Sequence, residues 1–209
     1  MEIRDARFLA SATDLSRLPA PAFAEIAFAG RSNVGKSSLI NALVRRRKLV
    51  RTSNTPGCTR GINLFRVELV DPEAVLDLVD LPGYGYAKRS KSERRSWGEL
   101  IEAFLRTRPG LRGVVVIIDV RRGLEDDDRE LLEFLVDAKL TPILVATKLD
   151  KLPGSKRKPR LAEVGREAGQ RVLGFAAPKA EGVEALWRRL LAVAAISAGD
   201  GASPRTEAR

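Results

Sequence analysis

At 209 residues with a hydrophobic fraction of 44%, the chain is long enough to bury one sizeable core. It has no histidine and a single cysteine, Cys58, which excludes Ser-His-Asp catalysis, histidine-bound zinc and an intrachain disulfide. The formal charge of +10 points to a polyanionic partner, and chemistry done with this inventory must use backbone amides, Lys, Ser/Thr, carboxylates and a hard metal ion.

Taken in chain order, residues 1–23 read as an N-terminal extension packed on a domain spanning 24–196, and the polar, small-residue stretch 197–209 reads as a disordered tail. The start lacks the apolar segment of a signal peptide, and no run reaches ~18 apolar residues, so a cytoplasmic protein without a membrane span is expected. Ala24 to Ala29 predicts a buried strand ending in a glycine-rich turn. Lys36 to Val44 predicts a helix, with Leu39, Ile40, Leu43 and Val44 at helical spacing. Ile62 to Leu69 alternates like a half-buried strand, and Ala74 to Val79 is another, after an Asp71-Pro72 turn. Ser92 to Leu105 predicts a helix with Trp97, Leu100, Ile101, Phe104 and Leu105 inward. Val114 to Ile118 is the β-branched run of a strand covered on both faces. Asp126 to Ala138 predicts a helix whose acidic first turn suits the helix dipole. Ile143 to Ala146 and Val172 to Ala176 read as strands, Pro159 to Gly169 and Gly182 to Ile196 as helices. This alternation predicts an α/β fold with a mostly parallel six-stranded sheet, helices on both faces, and ligands at the carboxyl ends of the strands.

The motifs fall where that rule wants them. Gly30-Arg31-Ser32-Asn33-Val34-Gly35-Lys36-Ser37 matches G-x-x-x-x-G-K-[ST] between a strand and a helix. Its glycines let backbone N–H groups converge on phosphates, Lys36 reaches the β- and γ-phosphates, and the Ser37 hydroxyl can sit on Mg²⁺. The architecture is therefore that of a three-layer P-loop NTPase of the small-GTPase type. Asp80-Leu81-Pro82-Gly83 closes a strand, with an acid that can hold magnesium through water and a Gly83 amide that can sense a γ-phosphate. Thr147-Lys148-Leu149-Asp150 closes another. The Asp150 carboxylate can accept the ring N–H and exocyclic amine of guanine, a pair that adenine lacks. Between the first helix and the second strand, the loop Asn54 to Arg60 offers a Thr hydroxyl for magnesium: Thr59, with Thr55 as the competitor.

The set GRSNVGKSS, TPGCTR, DLPGYG and TKLD, in this order, resembles the EngB (YihA/YsxC) family of bacterial ribosome-biogenesis GTPases, of the Era/EngA/TrmE-like class. The resemblance covers about Phe8 to Ile196. It implies that Gly30 to Ser37 hold the phosphates and that Gly57, Cys58, Thr59, Arg60 and Gly61 form a nucleotide-sensing switch, with Ser37 and Thr59 on magnesium. Asp80 to Gly83 would form the second switch, with Lys36, Thr59 and Gly83 serving hydrolysis. Thr147 to Asp150 would form the guanine site, and Phe175, Ala176 and Ala177 the last base-contacting loop, where the usual serine is missing. The resemblance further implies GTP and GDP as ligands, the large ribosomal subunit or its precursor as partner, and a link to cell division and septation. A monomer is the default for one compact domain.

Tyr84 stands where many small GTPases keep a water-orienting glutamine, so a low intrinsic rate is expected. A ribosomal partner or a potassium ion at Asn33 could supply the missing group; a turn-stabilising role for Asn33 is the competing reading. Three basic clusters follow the motifs: Arg45 to Lys48 with Arg51; Lys88, Arg89, Lys91, Arg94 and Arg95; and Lys151, Lys156 to Lys158 and Arg160. Two of them adjoin the switches, which predicts nucleotide-dependent docking on ribosomal RNA. The competing functions are a GTP-dependent binding module for a division or membrane partner, and an ATP-using kinase. Asp150 and the absence of a lid-like insert argue against the kinase.

Overall fold

The computed structural model describes residues 1–50, 61–84 and 91–195, and over 91–97 the backbone alone. The elements are β1 (Glu2–Ala12), β2 (Glu25–Gly30), α1 (Lys36–Leu43), β3 (Ile62–Asp71), β4 (Ala74–Asp80), α2 (Lys91–Thr107), β5 (Leu111–Asp119), α3 (Asp126–Asp137), β6 (Thr141–Thr147), α4 (Gly154–Glu167), β7 (Val172–Gly174) and α5 (Val183–Val193). The sheet has seven strands in the order β1-β3-β4-β2-β5-β6-β7. β4, β2, β5, β6 and β7 pair in parallel, while β1–β3 and β3–β4 are antiparallel.

Six strands were expected from the sequence; β1 is the seventh. Its alternation is blurred because Arg4, Asp5 and Arg7 interrupt it and its register against β3 slips in three places. It lies at the sheet edge, where Arg7 donates to Asp5 and Glu68 and discourages pairing with other chains. Phe8, still 53% exposed, meets its cross-strand partner Phe65 edge to face at 5.6 Å. α4 also begins earlier than expected, at Gly154, with Pro159 inside it rather than at its start.

Each face of the sheet carries a hydrophobic core, and β5 serves both, as its continuous β-branched run predicts. Val115 and Ile117 join the cluster with α1 and α5; Val114, Val116 and Ile118 join the one with α2, α3 and α4. The fully buried Trp187 ties α5 to the end of α1, its Nε1 donating to the Leu43 carbonyl at 2.9 Å. Buried carboxylates away from the motifs are matched by bidentate arginines, Glu25 by Arg108 and Asp77 by Arg66. The parallel pairing of β4, β2, β5 and β6 sets their carboxyl ends side by side.

Candidate functional site

The loop from β2 to α1 is shaped by two glycines with different duties. A Cβ on Gly30 would sit 2.8 Å from the Ile117 carbonyl oxygen and 2.9 Å from Val34 Cγ2, so the residue must be small. Gly35 has φ +100°, which side chains rarely adopt. Asn33 is also left-handed, at φ 65°, where asparagine is tolerated. Val34 is buried, Arg31 and Ser32 are half-buried, and Ser37 is half-buried in the first turn of α1.

Beside this loop, Lys36 pairs with Asp80 Oδ1, and both are nearly or wholly buried. β4 runs parallel to β2, with Asp80 level with Phe28, and the Leu81 N–H donates to the Phe28 carbonyl at 3.1 Å. Buried Leu81 and Pro82 then lead to Gly83. The second carboxylate oxygen, Asp80 Oδ2, is buried without a hydrogen-bond partner. A buried acceptor left open at the end of β4 and a serine hydroxyl in the first turn of α1 are both oxygen donors. They fit a small hard cation such as Mg²⁺, which keeps several waters and takes its other ligands from phosphate.

Tyr84 continues from Gly83 and makes a parallel bridge to Arg31 of the phosphate loop. Its N–H donates to the Gly30 carbonyl at 3.3 Å, and its own carbonyl accepts the Ser32 N–H at 3.2 Å. The ring packs into the core under α3, and the hydroxyl donates to Asp128 Oδ1 at 2.8 Å. Burial first, then the neighbouring Asp128 carboxylate, pushes the Tyr84 phenol well above its ordinary range, so it remains a donor. Asp128 is 2% exposed, and its other oxygen accepts the Glu125 N–H at 3.0 Å, one half of the capping box of α3. Burial raises its carboxyl above the usual value, against the hydrogen bonds from Glu125 and Tyr84. Arg31, the other bridge residue, pairs with Glu125 and lies 3.9 Å from Asp127.

The far end of the site hangs on Thr147. Its buried hydroxyl donates to the Val34 carbonyl and lies 2.9 Å from the Ile118 carbonyl, which joins β6 to the phosphate loop and to β5. Lys148, left-handed at φ 59°, reaches back with Nζ 2.6 Å from the Asn33 carbonyl and 3.0 Å from Asp119 Oδ2. Asp119 also accepts the Arg121 side chain at 2.9 and 2.7 Å and the Arg121 N–H at 3.0 Å. Burial alone would raise its carboxyl, but the bonds from Arg121 and Lys148 outweigh it and pull it down to about 2. Between this set and the phosphate loop opens a cavity of about 400 Å³, lined by Ser32, Asn33, Val34, Asp119, Arg121 and Lys148 among others. Leu149 is buried and its N–H donates to the Phe175 carbonyl at 3.1 Å; the Asp150 side chain is 12% exposed, 3.7 Å from Lys151 Nζ.

The structure thus brings Gly30 to Ser37, Asp80 to Gly83 and Thr147 to Asp150 to one end of the sheet. The predicted switch residues Gly57, Cys58, Thr59 and Arg60 lie outside the described residues, as do Arg51, Lys88 and Arg89; Gly61, just before β3, has no room for a Cβ, which would sit 2.6 Å from the Ala12 carbonyl oxygen. Phe175 and Ala176 are buried, with the Phe175 N–H on Ala146 and the Ala176 N–H on Glu181, while Ala177 is half-buried. Two members of the third basic cluster are structural. Arg157 donates to the Leu152 carbonyl and Glu181; Arg160 donates to the Val120 carbonyl and pairs with Glu163. Sequence reasoning missed Asp119, although an acid closing the β-branched run at a strand's carboxyl end was the available signal. It also missed the partnership of Tyr84 with Asp128, residues 44 apart.

Residues 25–148 match the family model described as 50S ribosome-binding GTPase. A probable GTP-binding protein EngB from Desulfatibacillum aliphaticivorans is 45% identical over 194 residues, 91% of this chain and 92% of that one. The protein of the same description from Myxococcus xanthus is 43% identical over 196 residues, 91% and 95% of the two chains. A crystal structure of a probable GTP-binding protein engB superposes with TM-score 0.63 at 28% identity, over 83% of this chain and all of that one. Era, crystallised with MgGDPNP and nucleotides 1506–1542 of 16S ribosomal RNA, superposes with TM-score 0.71 at 24% identity, over 90% of this chain and 61% of its own; that likeness is one of fold.

Proposed function

We propose, since this chain belongs to the EngB family of GTP-binding proteins and hydrolyses GTP, that it is a cytoplasmic, monomeric switch for assembly of the large ribosomal subunit. A role in cell division and septation would follow from that one. The observation that carries the switch reading is the buried Lys36–Asp80 pair with Asp80 Oδ2 left open. Both side chains belong to nucleotide motifs, and each occupies the other where phosphate and metal would compete.

In this reading the amides of Gly30 to Ser37 cradle the phosphates of GTP or GDP, and Lys36 leaves Asp80 for the β- and γ-phosphates. Ser37 and Thr59 would hold magnesium, with Asp80 acting through water, and the ion when bound would supply charge stabilisation to the phosphates. Gly57 to Gly61 and Asp80 to Gly83 are the two switches, and the Gly83 amide reads the γ-phosphate. Thr147, Lys148, Leu149 and Asp150 hold guanine, with the loop Phe175, Ala176 and Ala177 beneath it. Tyr84 turned toward Asp128 does not orient a water, which supports slow intrinsic turnover completed by a partner. Asn33 is exposed on the phosphate loop and is proposed to admit a potassium ion; turnover in KCl against NaCl checks it.

Arg45, Arg46, Arg47 and Lys48 are exposed at the end of α1, which suits a phosphate backbone. Co-sedimentation with isolated large subunits in GTP, GDP or a non-hydrolysable GTP analogue, across a salt series, tests the assignment. Binding that favours GTP and weakens with salt is expected. Equal binding in all nucleotides, or none, would overturn the ribosomal reading in favour of a module for another partner.

A further inference from the structure

The bridge between Arg31 and Tyr84 is held at both ends by one turn of the chain, the N-terminus of α3. Arg31 is tied to Glu125 with Asp127 behind it, and Tyr84 to Asp128. Arg31 belongs to the phosphate loop, and Tyr84 is the first residue after Gly83. Both contacts coexist with the Lys36–Asp80 pair, that is, with the arrangement in which the phosphate and metal residues satisfy each other.

We propose that Asp128 is a positioning residue that sets the preference between GTP and GDP, by latching Tyr84 onto the phosphate loop in the resting state. The proposal rests on the reading of Gly83 as the γ-phosphate sensor. To read a γ-phosphate, Gly83 must move with Tyr84, its neighbour in the chain. The bridge is easy to part, with hydrogen bonds of 3.2 and 3.3 Å. The side-chain anchor is the stronger part: a phenol kept protonated by burial donates at 2.8 Å to a carboxylate that is 2% exposed and fixed from its other oxygen by the Glu125 N–H. GDP, with no γ-phosphate, binds without disturbing the latch. GTP has to break it, so the strength of the latch is subtracted from GTP affinity alone. A ligand shifts a two-state equilibrium only through its different affinities for the two states, and here the difference is written into one hydrogen bond.

The test is the ratio of GTP to GDP dissociation constants, by titration with fluorescent nucleotides, for the full chain and for Tyr84→Phe, Asp128→Asn, the double variant and Gly83→Ala. Tyr84→Phe keeps the ring and removes the donor. It should tighten GTP by about tenfold with GDP unchanged, the scale of a hydrogen bond to a buried carboxylate. Asp128→Asn should do the same more weakly, and the double variant should add little to Tyr84→Phe, since both remove one contact. Thermal melting of each variant separates this shift from a loss of fold, which would weaken both nucleotides alike. A ratio that stays the same or moves toward GDP in both single variants, or strictly additive effects, would overturn the latch. Gly83→Ala distinguishes the latch from the switch on which it rests. If it leaves GTP affinity and turnover untouched, the switch assignment itself has failed; if it weakens GTP while the latch variants do nothing, the latch alone has failed.

Discussion

The two ends of the proposed nucleotide cleft are built in opposite ways. At the end proposed for guanine, the bonds among the described residues are made without a ligand and would survive its arrival: Thr147 on the Val34 and Ile118 carbonyls, Lys148 on Asn33 and Asp119, Arg121 on Asp119. At the phosphate end the principal bonds are ones that the proposed switch displaces: Lys36 on Asp80 by either nucleotide, and Tyr84 on the phosphate loop and Asp128 by GTP alone. Preorganisation at one end and mutual occupation at the other divide the labour. On the proposed assignment, the first makes base recognition independent of nucleotide state, because nothing there has to move. The second gives the proposed latch, which a single phosphate would open.

The sharpest way to break this contrast is to remove Lys36. Asp80 is wholly buried, and without its cation the carboxylate is an uncompensated interior charge. Lys36→Met should therefore destabilise the nucleotide-free protein by about 3–5 kcal/mol, beyond abolishing tight nucleotide binding. Denaturant titration of the apo protein measures it. An unchanged midpoint would mean that the pair is incidental and that the phosphate end, like the guanine end, is simply waiting for its ligand.

Thr147→Val probes the other end. The substitution keeps the volume but removes the hydroxyl that links three segments, at a cost of about 1–3 kcal/mol. Because the linkage is indifferent to nucleotide state, GTP and GDP should both weaken, by about tenfold, in equal proportion. Calorimetric or fluorescence titrations in each nucleotide would show it. A loss confined to GTP would place Thr147 in the switching half of the cleft and dissolve the distinction.

The same contrast explains what could be read in advance. Lys36, Asp80, Thr147 and Lys148 were legible as motif positions, because Gly30 to Ser37, Asp80 to Gly83 and Thr147 to Asp150 each close a strand whose pattern is clear, whereas Asp119, Arg121 and Asp128 lie outside the motifs. What was not legible is who holds them. That Tyr84 would turn away from the site to Asp128, or that Lys148 would reach both the Asn33 carbonyl and Asp119, depends on tertiary distances that spacing does not encode. The acidic first turn of α3 was visible, but its dipole was a sufficient local reason for it, which concealed the second use of Asp128 and Glu125. β1 escaped for a related reason: an edge strand with a single partner and charges on its outer face has no need of clean alternation. Pro159 misled because proline favours the first turn of a helix, whereas α4 starts at Gly154, five residues earlier.

The smallest expected effect lies in the acid limb of the stability curve, where the two ends should slope in opposite directions. Asp119 is held down to about 2 by Arg121 and Lys148, below its ordinary value of 3.8. Between those values the unfolded chain binds a proton that the folded chain refuses, so stability rises with pH there. The gain is in place above about pH 4 and is lost as pH falls toward 2, with a slope of at most about 1.4 kcal/mol per pH unit. Asp128 is raised instead, by burial. In its window, above 3.8, the folded chain binds the extra proton, so its contribution is full at lower pH and declines as pH climbs through the raised value. Urea midpoints taken from pH 2 to pH 6 resolve the two. Asp119→Asn should flatten the rise below about pH 4 and leave the higher region as it was, whereas Asp128→Asn should remove the decline above it. If both substitutions altered the same limb in the same sense, the guanine and phosphate ends would share one electrostatic design, and the division between a fixed half and a switching half would have to rest on hydrogen-bond geometry alone.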